Sequence, residues 1–532
     1  MYWEEKIWLA NDAEGNHIHI LPKMANRHGL VCGATGTGKT VTLKVMAEAF
    51  SDMGVPVFMA DVKGDIAGMM AAGADTEDMQ KRIERFGLSA AGFHFHGYPV
   101  TLWDIFGRDG IQLRTTVTEL GPVLLSRILR LNDLQTDILT IVYKIAEDNN
   151  LLLIDTKDLK AMLGYVGEHA KEFAADYGKI SSASIGAITR ALVALELDGD
   201  EIFFGEPALN IHDWMVREPD GRGMINVLAS DSLIGNGRLY STFLLWMLSE
   251  LFEKLPEVGD LEKPKMVFFF DEAHLLFNDV SRTLLDKIVQ VVKLIRSKGV
   301  GVYFCTQSPR DIPNEVLSQL GNKVEHGLRA YTPAEQKVVK AAADSFRSNL
   351  AFDTLEAIMN LGTGEAVVSF LDEKGVPGVA QIAYILPPQS RMAAATEAER
   401  AQCVKESLFY SKYAESYDPD SAYEFFRRLG LEQQAEEERQ RAESEKAAEE
   451  ARLKKEQDKE LARAEKEREK EEKQKQRAKN NALKQVGNSV FGTIGREAGK
   501  KAGSAFGTIG KRVGGNLGAA IGRGIVGTLF KR

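Results

Sequence analysis

The sequence has 532 residues, of which 44% are hydrophobic and 27% charged, and its formal net charge at pH 7 is −9. This length and composition are those of a globular protein with room for a large core and more than one domain. The acidic balance excludes a uniformly basic nucleic-acid coat. Any contact with DNA therefore has to come from a local basic patch or from a pore built by several subunits.

The cysteines and the apolar runs bear on the cellular compartment. Cys32, Cys305 and Cys403 are odd in number and widely spaced, which excludes a disulfide framework and a zinc site. Cys32 and Cys305 lie in apolar, strand-like runs and are expected to be buried thiols. The first residues show no apolar signal region, and no apolar run reaches the roughly 18 residues of a transmembrane helix. We therefore expect a cytoplasmic protein.

The first third of the chain reads as alternating strands and helices. Residues 1–28 predict short β-strands around a turn. A strand at 30–32, a glycine loop, a helix from about 39 to 52 and a strand at 55–60 then form a βαβ unit, which implies parallel strands.

A helical insertion and a second group of strands follow. Residues 112–200 carry apolar residues at helical spacing. The fold class predicted is α/β, with a mostly parallel sheet, a helical insertion, and a charged helical and then glycine-rich C-terminal tail. The later strands are predicted at 223–229, 266–270, 300–306, 323–329, 365–371 and 378–385.

The C-terminal part changes composition twice. Residues 432–480 are rich in Glu, Lys, Arg, Gln and Ala, and pairs such as Glu450 and Lys454 at i,i+4 spacing predict a solvated helix or a spacer. Residues 481–532 carry nine Lys or Arg and one Glu, with glycine at every fourth position in two stretches. Small residues at that spacing permit close packing, and a basic, apolar-striped segment can bind an anionic membrane or nucleic acid. We hypothesise that this tail orders on a membrane or partner; a disordered solubilising tail is the alternative.

Together these features divide the chain into six parts. The core ends at Pro387 and Pro388. The parts are a lead-in with the first half of the core (1–110), the helical insertion (111–222), the second half of the core (223–390), a helical extension (391–431), the charged helix or linker (432–480) and the basic glycine-rich tail (481–532).

The segment GATGTGKT, residues 33–40, fits the pattern G-x-x-x-x-G-K-[ST], with a strand before it and a helix after it. Its glycines let backbone N–H groups converge on phosphate oxygens, and the helix N-terminus favours their negative charge. Lys39 is predicted to reach the β- and γ-phosphates of ATP, and the Thr40 hydroxyl to coordinate Mg²⁺. The predicted nucleotide contacts are Gly33, Ala34, Thr35, Gly36, Thr37, Gly38, Lys39 and Thr40. We call residues 33–40 the P-loop.

Acidic residues end the apolar strand at 266–270. A parallel strand delivers such carboxylates to the carboxyl edge of its sheet, where ligands bind. Asp271 is predicted to hold Mg²⁺, directly or through water, and Glu272 to act as general base on the attacking water.

Two further strand ends carry polar residues. Gln307, after the strand at 300–306, is predicted to sense the γ-phosphate or to position the water; an amide that caps a loop is the alternative. Residues 61–65, Asp-Val-Lys-Gly-Asp, follow the second core strand. These residues lie either close to the nucleotide or to the polymer along which a motor would move, or they form a plain turn.

The order of these motifs resembles the HerA/FtsK superfamily of ring translocases, and is most similar to the HerA-like, YjgR-type bacterial ATPases. The resemblance covers residues 1–390 and rests on Arg27-His28-Gly29-Leu30 before the P-loop, on residues 55–65, on 268–274, and on 306–309 followed by 311–313. Residues 271–274 also spell DEAH. DEAH-box helicases carry two RecA-like domains in one chain, with the acidic motif much closer to the P-loop. Such a helicase is excluded because Asp271 lies far from Lys39 in sequence and too few residues follow Gln307 for a second RecA-like domain.

The resemblance implies a RecA-like P-loop NTPase core, ATP hydrolysis and a hexameric ring. It departs from HerA proper, where a β-barrel precedes the P-loop, so that protein's ring partners and role at DNA ends are not carried over. Ring ATPases use an arginine of the adjacent subunit to stabilise charge on the γ-phosphate. Arg329 is the first candidate for that arginine and Arg310 the second; an ordinary salt bridge is the alternative for Arg329.

Three functions follow from these expectations. The leading one is a DNA translocase or helicase-like motor ATPase. The alternative is a protein-remodelling or secretion-type ATPase, peripheral to a membrane and recruited through residues 481–532. A nucleotide-gated scaffold with negligible turnover is the third, and the presence of Glu272 beside Asp271 argues against it.

Overall fold

The computed structural model describes residues 1–481, except 198, 232, 234, 235 and 278–281. The described residues belong to two units, Met1–Tyr423 and the segment that starts at Glu424. Our predictions for the glycine-rich tail fall on residues outside this description, apart from Asn481 at its start.

One mixed sheet forms the centre of the first unit. Its strands are β1 (Tyr2–Trp3), β2 (Lys6–Asn11), β3 (His17–Ile20), β4 (Gly29–Cys32), β5 (Val57–Asp61), β6 (Val100–Asp104), β7 (Ile111–Gln112), β8 (Ile225–Ala229), β9 (Met266–Phe270), β10 (Val300–Thr306), β11 (Asn322–His326), β12 (Glu365–Ser369) and β13 (Gln381–Ile385). Their order across the sheet is β1-β2-β13-β12-β11-β4-β10-β9-β5-β8-β6-β7, and β3 pairs with β2.

The sheet is parallel in its larger part. Every neighbouring pair from β11 to β7 is parallel, whereas β12, β13 and the strands of the lead-in add an antiparallel edge. All five residues of β9 are buried, as a parallel strand with both faces covered requires. The predicted α/β class with a mostly parallel sheet is confirmed.

The helices fall into three groups along the chain. The core helices are α1 (Lys39–Asp52), α2 (Glu77–Phe86), α8 (Gly237–Lys254), α9 (His274–Phe277), α10 (Arg282–Leu294), α11 (Asn314–Leu317), α12 (Pro333–Asp344) and α13 (Thr354–Asn360). The insertion between β7 and β8 contains α3 (Val117–Ile128), α4 (Asp133–Asp148), α5 (Thr156–Glu168), α6 (Ala170–Tyr177) and α7 (Ser182–Leu197). After the sheet come α14 (Glu397–Glu406), α15 (Tyr410–Tyr413) and α16 (Ala422–Asn481).

Several element bounds differ from those read in the sequence. β11 ends at His326, so Arg329 lies beyond the strand rather than at its end. β6 and β7 were not predicted, because one mixes polar with apolar residues and the other has only two residues. The helix α16 begins at Ala422, before the change in composition at 432. Cys32 and Cys305 are buried and free, as expected.

The described helices were compared with the requirements of a membrane span. No single described helix is long and apolar enough to span a membrane. Taken together, Ala170–Tyr177 and Ser182–Leu197 meet the length and composition criteria, but the pair is bent by 104°.

Candidate nucleotide site

Three adjacent parallel strands bring the predicted site residues to one edge of the sheet. β10 lies between β4 and β9, with Thr306 opposite Cys32 and Phe304 opposite Phe270. The P-loop follows β4, Gln307 follows β10, and Asp271 and Glu272 follow β9. Because carboxyl ends of parallel strands meet at the same edge, these groups lie at one edge of the sheet.

The P-loop is shaped by left-handed glycines and closed by its own lysine. Gly36 and Gly38 have φ of 78° and 116°, which side chains disfavour. The Lys39 Nζ donates to the carbonyl oxygens of Gly33 and Ala34 at 2.6 and 3.0 Å. Exchanging these neutral acceptors for phosphate oxygens would give the ammonium stronger, charge-assisted bonds.

Asp271 and Thr40 fit a magnesium ion. Burial, followed by the charge of Glu272, raises the pKa of the Asp271 carboxyl, so a nearby cation would stabilise its ionised form. One oxygen accepts the Glu272 backbone N–H at 2.9 Å. The Thr40 hydroxyl makes no hydrogen bond to any other described residue.

Within the described residues no group of three or more His, Cys, Asp or Glu could hold a metal. Mg²⁺ does not need such a group, because it is usually bound by one or two protein oxygens together with substrate phosphates and water. Thr40 and Asp271 would hold the ion, which when bound neutralises charge on the phosphates.

Glu272 is held in a defined orientation by its backbone and by two side chains. Its φ of 48° is left-handed, which is strained for a residue with a side chain. The Gln307 Nε2 lies 3.4 and 3.5 Å from the two Glu272 carboxylate oxygens, and the His274 Nδ1 lies 3.3 Å from one of them. The structure thus places Gln307 beside the carboxylate predicted to activate water, which suits a residue that positions that water.

Residues 61–65 lie beside the acidic pair. Asp61 ends β5, the other neighbour of β9, and is 3% exposed. Lys63 is exposed, and its charge opposes the rise in the pKa of Asp271 that burial causes. The Lys44 Nζ donates to the Asp65 carbonyl at 2.6 Å, which ties this segment to α1.

The two arginine candidates are exposed. Neither the Arg329 nor the Arg310 side chain makes a hydrogen bond or ion pair to another described residue. An ordinary salt bridge for Arg329 within the described part of this chain is therefore not observed. Its action on a neighbouring subunit stays a prediction.

Two residues next to the P-loop were missed in the sequence. Glu325 and His326 end β11 and are 2% and 0% exposed. Burial raises the pKa of Glu325 to about 8 and lowers the pKa of His326 to about 4. The signal that could have found them is three titratable residues, Lys323, Glu325 and His326, within the first four residues of a short predicted strand.

A phosphate-binding loop, an acidic pair and a glutamine at the ends of three adjacent parallel strands define a P-loop nucleoside-triphosphatase site. The chain belongs to the helicase HerA-like C-terminal family, whose pattern matches residues 6–529. It is thus a member of the HerA/FtsK-type superfamily. The YjgR-type subtype stays a prediction.

Curated relatives and solved structures resemble parts of the chain. The DNA double-strand break repair helicase HerA of Sulfurisphaera tokodaii is 24% identical over 370 residues, 68% of this chain and 65% of that protein. The probable helicase MJECL08 of Methanocaldococcus jannaschii is 30% identical over 136 residues, 25% of this chain and 24% of that protein.

Two solved structures are also similar. The plasmid coupling protein TrwB, with the ATP analogue ADPNP, has a TM-score of 0.48 and 16% identity, covering 70% of this chain and 88% of TrwB. VirB4 of Thermoanaerobacter pseudethanolicus has a TM-score of 0.45 and 15% identity, covering 72% of this chain and 96% of VirB4.

Proposed function

We propose that this protein is an ATP-hydrolysing motor ATPase of the HerA-like type that translocates on DNA or separates its strands. The observation that carries the proposal is the arrangement of the P-loop, Gln307 and the pair Asp271 and Glu272 on β4, β10 and β9. Membership of the helicase HerA-like family supports the proposal. So does the similarity to the DNA double-strand break repair helicase HerA of Sulfurisphaera tokodaii.

Each residue has a stated task in this reaction. The P-loop N–H groups and Lys39 bind the phosphates, and Thr40 and Asp271 hold Mg²⁺. Glu272 accepts a proton from the attacking water, which Gln307 orients. Charge that develops on the γ-phosphate needs a further cation, and the exposed Arg329 of an adjacent subunit is proposed to supply it.

This assignment to Arg329 requires an oligomer in which one subunit faces the nucleotide of the next. We propose a homo-oligomeric ring, with six subunits as the expected number. A cytoplasmic location also stays a prediction.

The test is steady-state phosphate release from MgATP, without DNA and with single- or double-stranded DNA. Lys39→Ala, which removes the phosphate-binding ammonium, gives the background rate. We expect DNA to raise the rate at least about tenfold, because a motor that moves along DNA couples ATP hydrolysis to that movement. A rate that stays at the Lys39→Ala background, with and without DNA, would contradict the proposal.

A second function is favoured by one feature, the composition of residues 481–532. Nine Lys or Arg against one Glu, among regularly spaced glycines, suit an anionic membrane or a protein partner as well as DNA. Hydrolysis that is substantial but indifferent to DNA, and that rises with anionic vesicles, would favour an ATPase that remodels or secretes protein at a membrane.

A further inference from the structure

His326 sits beneath the P-loop, between α1 and β12. It is the last residue of β11 and its side chain is 0% exposed. Its Nδ1 lies 2.9 Å from the Glu365 carbonyl oxygen, and its Nε2 lies 2.8 Å from the Thr42 hydroxyl. One imidazole therefore links the start of β12 to the first turns of α1.

We propose that His326 is a positioning residue for nucleotide binding: it holds the P-loop and the start of α1 in their phosphate-binding shape before nucleotide arrives. The proposal rests on the proposed function only in so far as the P-loop binds a nucleotide. It assigns His326 no contact with the nucleotide.

The two hydrogen bonds fix the protonation of the ring. A carbonyl oxygen only accepts, so the Nδ1 must carry the proton and donate to Glu365. The Nε2 of the neutral ring is then an acceptor. The Thr42 hydroxyl donates to it at 2.8 Å in preference to the Gly38 carbonyl oxygen, which lies at 3.3 Å. Burial, which lowers the pKa of His326 to about 4, keeps this neutral form at physiological pH.

The His326 side chain also packs against the P-loop at its first and last glycines, through its Cβ at Gly33 and through its ring at Gly38. A Cβ added at Gly33 would lie 2.5 Å from the Cβ of His326, and one added at Gly38 would lie 3.4 Å from the ring Cε1. A methyl group at Gly33 would therefore have to displace the histidine or the loop. Gly33 and His326 form a close-packed pair.

Backbone hydrogen bonds also attach the P-loop to the two segments on either side of the His326 ring. The Ala34 N–H donates to the Gly327 carbonyl at 3.1 Å, and the Gly364 N–H donates to the Thr37 carbonyl at 3.0 Å. The P-loop is thus attached to the segments that follow β11 and precede β12. A loop fixed in advance loses less conformational freedom when it binds phosphate, which raises affinity.

The proposed role of His326 concerns nucleotide binding and not the hydrolysis of the bound nucleotide. Glu272 and Gln307 follow β9 and β10 and do not depend on the His326 ring for their contacts. Losing the ring should therefore weaken nucleotide binding and leave the chemical step of the bound nucleotide nearly unchanged. General destabilisation would reduce the active fraction without changing the KM.

The experiment compares His326→Ala and Thr42→Val with His28→Ala in the full chain. His28 is a matched control because it too is buried and neutral, with a pKa lowered to about 4, but contacts Val292 and Val302 instead of the P-loop. The measurements are KM and kcat for MgATP, the Kd of a fluorescent ATP analogue, and amide hydrogen exchange of residues 33–45 without nucleotide.

We expect His326→Ala to raise KM and Kd about tenfold, to change kcat less than about threefold, and to speed exchange across residues 33–45. Thr42→Val, which keeps the shape of Thr42 and removes its donor, should shift Kd in the same direction by a smaller factor. His28→Ala should leave KM and Kd within about twofold of the wild type even where it lowers the melting temperature.

Unchanged Kd and exchange in both His326→Ala and Thr42→Val would overturn the proposal, as would an equal rise in Kd for His28→Ala. If the wild type binds nucleotide without hydrolysing it, the proposed function fails and the Kd values still decide the role of His326. If the wild type binds no nucleotide, both proposals fail, because His326 then has no binding site to position.

Discussion

Glu325 is a carboxyl group inside the sheet, next to the P-loop strand. It lies opposite Cys32 in the register of β11 and β4, and one of its oxygens has no hydrogen-bond partner among the described residues. Burial raises its pKa from 4.5 to about 8, while Cys32 and Lys39 act in the opposite direction. Folding therefore favours the protonated form of this side chain.

A pH dependence of stability follows from this shift. Because the folded-state pKa is raised, the contribution of Glu325 is fully present below its unfolded pKa of 4.5 and is lost as pH rises through about 8. Glu325→Gln has a similar shape and does not titrate. As pH rises from about 5 to about 9, the free energy of unfolding of this variant should increase relative to that of the wild type.

Urea unfolding of both proteins at several pH values measures this difference. Two stability curves that stay parallel over the whole range would mean that Glu325 is ionised, or exposed, in the folded protein. The prediction concerns stability alone and holds whether or not the protein hydrolyses ATP.

Residues of the site differ in how far the sequence could predict them. Lys39, Thr40, Asp271 and Glu272 stand in motifs with fixed spacing, so their place at one edge of the sheet followed from local sequence and the parallel order of strands. His326 could not be assigned in this way. Its function depends on contacts with Thr42 and Glu365, which are far apart in the chain and meet only in the folded sheet.

Asp158 of α5 shows how one residue joins two elements. Its side chain is 0% exposed and accepts hydrogen bonds from the backbone of Ile154 at 2.8 Å, the Ser421 hydroxyl at 2.6 Å and the backbone of Tyr423 at 2.9 Å. The helical insertion thereby holds the residues at which α16 begins.

Asp158→Ala would remove the acceptor of the buried Ile154 N–H and the bonds that join α5 to Ser421 and Tyr423. We expect a loss of about 3 kcal/mol in the free energy of unfolding, measured by chemical denaturation. Asp137→Ala is the control, because Asp137 is exposed on α4 and should change stability by less than about 0.5 kcal/mol. Similar effects of both substitutions would show that the contacts of Asp158 do not stabilise the fold.

Elements were predictable where their pattern was strong. β9 is a run of five apolar residues and α1 follows a glycine loop, and both have the expected bounds. The pairing of β13 with β2 was not predictable, because it joins residues from opposite ends of the core. Sequence periodicity carries no information on such long-range pairing.

At the scale of the whole molecule, the exposed Arg329 leads to a prediction about mixed oligomers. If Arg329 completes the site of a neighbouring subunit, Arg329→Ala and Glu272→Gln are each inactive alone for different reasons. In a mixed ring, an intact site can form where the Glu272 of one subunit meets the Arg329 of the next. We expect phosphate release from the mixture to exceed that of either variant at least about tenfold.

Two matched controls make this result specific. The first control mixes Arg310→Ala with Glu272→Gln and tests the second arginine candidate. The second mixes Lys39→Ala with Arg329→Ala and tests whether a different inactive variant that keeps Arg329 also restores activity. If Arg329→Ala stays inactive in both mixtures, its role lies within its own subunit or in the fold.

The most direct test of the central claim is phosphate release from MgATP by the wild type and by Glu272→Gln, each at a saturating ATP concentration set by its own measured Kd. We expect turnover by the wild type. In Glu272→Gln we expect a rate lower by a factor of about 10² or more with ATP still bound, because only the general base is lost. Equal rates in the two proteins, or no turnover by a wild type that binds ATP, would contradict the central claim.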